Sequence, residues 1–234
     1  MSLPKPIRPE YTTKLPSTGK TIKFVPFSVK EEKVLILASE SQDMDEIANA
    51  ITNVLESCVT TPNFKVNDLA LFDIELLFLK TRAKSVGEKL EVRVTDPNDE
   101  TYSVAHEIDV DKITVRNTKG HTDTIKIGDG TVVKMRYPGI EFFVEGVPLN
   151  TIVNRIDVAA KCIEQIAVGE EVYNREDMNE GDAQEWLEGL TSTQFNQVMD
   201  FFQTMPRLSH TFKLTNKNTG NPFSITLEGL ADFF

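Results

Sequence analysis

The chain has 234 residues, enough for one large domain or two of about 100 residues, and its 40% hydrophobic and 26% charged content belongs to proteins with a packed core. Its net charge is 25 minus 36, or −11, and so acidic a surface repels phosphate, which argues against nucleic acid or an anionic membrane as the main partner. The longest aliphatic run, Val34 to Ala38, falls far short of the roughly 18 apolar residues of a membrane span, so no membrane insertion is expected.

The opening residues lack the apolar stretch of a secretory signal, and two cysteines do not make a disulfide framework; both suit a reducing cytoplasm. Residues 1–20 hold Pro4, Pro6, Pro9 and Pro16 among Lys5, Arg8, Lys14 and Lys20, with Glu10 as the one acid, a net +3. This predicts an extended arm whose Lys5, Arg8 and Lys14 are candidates for reaching a neighbouring subunit, against the plainer reading of a frayed terminus. Thr21 to Phe27 alternates as a strand. Ser28 with Glu31 forms a capping box that starts a short helix, expected to run to about Ser39. Met44, Ile47, Ala48, Ile51, Val54, Leu55, Cys58 and Val59 make one apolar helical face, which places Cys58 in the core. A third helix is predicted from Asn67 or Asp68, with Leu69, Phe72, Leu76, Leu79 and Ala83 on its stripe. Asp73 and Glu75 early and Lys80, Arg82 and Lys84 late complement its dipole, and Gly87 ends it. GEKLEVRVT, the turn DPND and ETYSVAHEI then read as a hairpin.

A second β region follows, with strands from Ile113, Thr124 and Thr131 around Gly128 to Gly130. The glycine pair precedes a strand and not a helix, so it is a turn and not a phosphate loop. Leu149, Ile152, Val153, Ile156, Ala160, Ile163 and Ala167 predict a helix with Cys162 beside its stripe. From Glu164 to Glu188 nine carboxylates stand against Arg175 alone, a local charge of −8. Glu170, Glu171, Glu176 and Asp177 are candidates for docking a basic partner; the bland alternative is a solvated acidic loop and helix. Trp186 and Leu187 sit there on a short helix. Thr191 with Gln194 caps a helix bearing Phe195, Val198, Met199, Phe202 and Met205, which Pro206 ends, and a hairpin around NKNTGN closes the sequence.

The two halves run in one order: amphipathic helix, second helix, β-hairpin. YSVAHEIDV matches FSITLEGLA, and ITNVL matches IEQIA, but the identities are few, so duplication and chance similarity between two helix-plus-hairpin units both stay open. The expected class is α+β, with two pseudo-repeated helix-pair plus hairpin units and a central β region: arm 1–20, first unit 21–110, central region 111–146, second unit 147–234. The hairpins are expected to project as exposed arms open to β-augmentation. The terminal Phe233 and Phe234 either close the core beside Phe195 and Phe202 or anchor a partner.

No chemistry stands out. His106, His121 and His210 lie in or beside separate β segments, and none pairs with a cysteine or carboxylate at motif spacing. Pairing Cys58 with His106, or Cys162 with His210, is conceivable on paper, but neither cysteine sits in a nucleophile turn. No catalytic residue, metal or cofactor is expected.

Five segments, KFVPFSVKEEKVLILA, NVLESC, LALFDIELLFLKTRAKSVGE, VVKMRYP and ITLEGLADFF, together resemble the T4-type bacteriophage baseplate hub proteins, a family of hub subunits and hub-assembly factors, from about Lys20 to Phe234. The most specific elements are PFSVKEEK, with Pro26, Phe27, Lys30, Glu31, Glu32 and Lys33, and RAKSVGE, with Arg82, Ser85, Val86 and Gly87. The resemblance implies a non-enzymatic late phage protein that binds other baseplate hub or tail proteins in the host cytoplasm and is either retained in the virion or released. Self-association is compatible with it. Two alternatives stay open: a chaperone of the tape-measure protein that is absent from the virion, and a phage hydrolase.

Overall fold

The computed structural model describes residues 6–128, 130–142, 151–179 and 181–230, and over these the chain is α+β as expected. It divides into two units: Met1–Arg116 with Arg207–Phe234, and Asn117–Pro206. The C-terminal hairpin, expected to complete a second repeat, belongs to the first unit.

In the first unit, β1 (Tyr11–Lys14) pairs antiparallel with β2 (Thr21–Phe24). The segment expected as a free arm is therefore a hairpin strand from Tyr11 onward. Leu15 N–H donates to Lys20 O at 2.9 Å to close the turn, and burial of Ile22 and Phe24 fixes the register. The capping box forms as predicted: Ser28 Oγ accepts from Lys30 N–H at 3.3 Å and Ser28 N–H donates to Glu31 Oε2 at 2.8 Å, starting α1 (Val29–Ser41). Asp43 Oδ1 caps α2 (Met44–Cys58) through Asp45 N–H at 2.9 Å, and the predicted stripe buries Ala48, Ile51, Val54, Leu55 and Cys58.

The third helix, α3 (Leu71–Ser85), starts later than predicted, because Val66–Asp68 forms a separate 3-10 turn closed by Leu69 N–H on Val66 O at 3.0 Å. Every residue from Phe72 to Leu79 is buried, so α3 is the centre of this unit and not an amphipathic surface helix. Asp73 and Glu75, read in the sequence as complements to the dipole, are buried and tie down distant chain. Asp73 Oδ1 accepts from Ser17 N–H at 3.2 Å and Oδ2 from the Ser17 hydroxyl, while Glu75 Oε1 accepts from Leu230 N–H at 2.8 Å. Burial raises both carboxyl groups, Glu75 to about 7.

The two hairpins, β3 (Lys89–Asp96) with β4 (Asp99–Asp109) and β10 (Arg207–Thr215) with β11 (Pro222–Glu228), do not project separately. They meet through their side chains: the His106 ring stacks on Phe212 at 4.4 Å, Tyr102 meets Phe223 edge-on at 6.2 Å, and Asn216 Nδ2 donates to Asp96 Oδ2 at 2.8 Å and Asp99 Oδ2 at 3.0 Å. The turns DPND and NKNTGN are thus joined to each other. β5 (Thr114–Arg116) adds to β10, so the predicted central β region is split between the units.

The second unit is an antiparallel sheet in the order β6 (Thr124–Lys126), β7 (Thr131–Met135), β8 (Ile163–Val168), β9 (Glu171–Asn174), with α4 (Ile152–Cys162), α5 (Asp182–Glu188) and α6 (Ser192–Thr204). Val133, Ala159, Cys162, Ile166, Leu187, Val198 and Phe202 fill its core. The helix expected to reach Ala167 ends at Cys162, and IEQIA is a strand, which breaks its match to the helical ITNVL. A register shift between Lys134 and Met135 pairs Met135 with Ile163 and Lys134 with Gln165, so Glu164 is extra and Ile163 and Ile166 both face inward. This bulge makes the strand's apolar spacing look helical. Leu149, Phe233 and Phe234 lie outside the described residues.

Candidate interaction site

A two-residue turn joins β8 to β9, and its first position, Gly169, has φ +62, which glycine adopts without steric cost. The turn delivers β9 to the border of the sheet, where among the described strands only β8 pairs with it. All four β9 residues are exposed, Val172 at 52% and Tyr173 at 46%. After β9, Arg175 turns inward and donates from Nη1 to Lys161 O at 2.6 Å and Ile163 O at 3.2 Å. It thereby satisfies carbonyls at the end of α4, as Arg136 Nε does on Lys161 O at 2.9 Å. The one cation of the acidic segment is spent on this cap.

Beside β9 lies an open groove of about 370 Å³ lined by Ile166, Val168, Glu171, Tyr173, Asp177, Met178, Asp182 and Trp186. Glu171 and Tyr173 stand two apart on the strand and so on one face of it. Tyr173 donates its hydroxyl to Glu171 Oε2 at 2.6 Å, and this bond to the carboxylate raises the phenol. Asp177 Oδ2 accepts from Asn174 N–H at 3.2 Å, and Asp182 Oδ2 from Asn179 N–H at 2.7 Å. These bonds fix the two rim carboxylates in short turns. Trp186 and Met178 are partly buried against the core, which gives the groove an apolar floor.

Of the acidic candidates, Glu171 and Asp177 line the groove, while Glu170 and Glu176 are exposed on the flanking turns. Asp182, Tyr173 and Trp186 were not singled out as contacts by the sequence, although the run of carboxylates around the only tryptophan was the available signal. The basic candidates lie in the first unit. Arg8 Nη1 donates to Pro26 O at 2.8 Å and lies 3.9 Å from Glu31, Lys14 is on β1, and Lys5 is outside the described residues.

A second surface was missed. On α1, Val29, Ile36 and Leu37 are each more than half exposed. A run of five apolar residues cannot all lie on one helical face, so VLILA leaves part of itself in solvent, and such exposure marks contact surfaces.

Both cysteines are free and buried. Burial raises the Cys58 thiol and pushes that of Cys162 up to about 12, so both are protonated at neutral pH. His121 hydrogen-bonds Thr204 Oγ1 and Tyr137 Oη, each at 3.0 Å, and burial lowers its pKa. No group of three or more histidine, cysteine or acidic side chains among the described residues is arranged to hold a metal.

The family described as T4 bacteriophage base plate protein matches residues 8–234, and the chain belongs to that family. No curated protein and no solved structure matches it. It is a T4-type phage baseplate protein, and no described helix is long and apolar enough to cross a membrane.

Proposed function

We propose that this baseplate protein is a non-enzymatic hub component or hub-assembly factor that acts by binding other phage proteins, with the β9 groove as one of its contact surfaces. The observation that carries this reading is the groove itself: a strand border that no described strand pairs, with exposed Val172 and Tyr173 beside three rim carboxylates. Exposed strand borders invite pairing with another chain unless something covers them, and membership of a baseplate family supports a reading in which other phage proteins are the partners.

Deleting the gene tests the reading. Infection without the protein should yield particles lacking complete baseplates, and mass spectrometry of purified virions beside infected-cell lysate then separates the two roles. A hub component persists in the particle in a few copies; an assembly factor is present in the lysate and absent from the particle. Complete baseplates in the deletion strain would overturn the proposal.

A further inference from the structure

We infer that β9 receives an added strand from a basic, extended segment of another phage protein, whose lysine or arginine side chains meet Glu171, Asp177 and Asp182 while an alternate apolar side chain fills the groove over Trp186. The inference rests on the protein-binding role proposed above and names the chemistry of the partner.

Three observations select this occupant. First, β9 is paired on one side only among the described strands, so its outer backbone groups are a template for another strand. Added-strand binding takes affinity from main-chain hydrogen bonds and specificity from pockets that receive every second side chain. Glu171 and Tyr173 flank such a pocket, which has an apolar floor and an acidic rim.

Second, the rim charge is not neutralised internally. Among the described residues Glu171, Asp177 and Asp182 take part in no ion pair, and the nearby Arg175 is committed to backbone carbonyls. The hydrogen bonds to Asp177 and Asp182 engage Oδ2 of each, and among the described residues none is recorded to either Oδ1.

Third, the charge argues against a second copy of this chain. Two acidic β9 borders repel each other, the reverse of what self-pairing needs, and a basic strand is favoured by the same field. The chain's own basic segment is committed as well, with Arg8 bonded to Pro26 O and Tyr11–Lys14 paired to β2.

Trp186 is the only tryptophan and lines the groove, so its emission reports occupancy directly. The probe is a blocked seven-residue peptide with lysine, valine and lysine at positions 2, 4 and 6, which share one face of an extended strand, and threonine elsewhere, titrated into the full chain. Controls are the same peptide with glutamate for lysine, and one N-methylated at alternate residues so that it cannot form a ladder. The expected result is a saturable blue shift with the lysine peptide alone, weakened at least tenfold by raising the salt and at least tenfold in the triple variant Glu171→Gln, Asp177→Asn, Asp182→Asn. That variant removes charge but keeps the turn acceptors, and circular dichroism checks its fold; the peptide controls on the wild-type chain hold even if it fails to fold.

Absence of a saturable shift overturns the inference. Equal binding of the N-methylated peptide overturns strand addition, and concentration-dependent self-association abolished by the triple variant makes a second copy the occupant and overturns it too. If the peptide fails but gene deletion still removes baseplates, this inference falls and the assembly role stands. If deletion leaves baseplates complete, the role itself falls.

Discussion

Replacing Glu75 by Gln should remove a pH-dependent cost that the fold carries at its centre. Glu75 is 7% exposed within α3, and burial lifts its carboxyl from 4.5 to about 7, partly offset by the N–H of Leu230 that donates to it. A raised carboxyl means the folded state binds the proton more tightly than the unfolded chain. Below pH 4.5 both states are protonated and the site's contribution to stability is fully present. Between 4.5 and about 7 the unfolded chain ionises first and stability is lost, and above about 7 the full cost applies, on the order of 3 kcal/mol. Glutamine keeps the shape and an oxygen for Leu230 but cannot ionise. The variant should therefore gain about 1–3 kcal/mol over wild type at pH 8 and little at pH 4, read by urea denaturation followed by circular dichroism. Asp73 shifts in the same direction and is present in both proteins, so it cancels in the difference. A wild-type minus variant difference that stays constant from pH 4 to pH 8 would refute the reasoning.

Ser28→Ala should cost roughly 1 kcal/mol, since α1 loses the acceptor for Lys30 N–H; an unchanged melting temperature would contradict the cap. Asn216→Ala leaves Asp96, which is 3% exposed, without its cross-hairpin donor and should cost about 1–3 kcal/mol, whereas Asn218→Ala, which keeps that donor, should cost distinctly less in the same denaturation assay. Iodoacetamide at pH 8 should leave Cys58 and Cys162 unmodified in the native protein and alkylate both in denaturant, with mass spectrometry as the readout. Gly229→Ala should destabilise by about 1 kcal/mol or more in thermal melts, because φ is +71 there and the new Cβ would lie 3.2 Å from Glu75 Oε1.

What could be read in advance was local. The Ser28 and Thr191 capping boxes, the stripe of α2 and the DPND hairpin depend on residues within a few positions of one another, and each appears where the pattern places it. What escaped was decided by distant chain. IEQIA looked helical because a bulge opposite β7 brings Ile163 and Ile166 to one face, and no inspection of that segment alone reveals its partner strand. Asp73 and Glu75 have the same local signature whether exposed or buried; the bonds to Ser17 and Leu230 span 56 and 155 positions. The hairpins looked like two arms because the Asn216 to Asp96 bond spans 120 positions. The acidic character of the site was legible in composition, and Glu171 and Asp177 were among its candidates. Its shape was not, since the groove exists only after β8, β9 and α5 bring Ile166, Tyr173 and Trp186 to one place.

The most direct measurement is complementation of a phage lacking the gene, scored by electron microscopy of baseplates, with the wild-type chain beside the triple variant Glu171→Gln, Asp177→Asn, Asp182→Asn. The wild-type chain should restore complete baseplates, while the variant, expressed to the same level with a native circular dichroism spectrum, should leave them incomplete. A folded variant that restores baseplates as well as the wild type would contradict a contact role for the β9 groove.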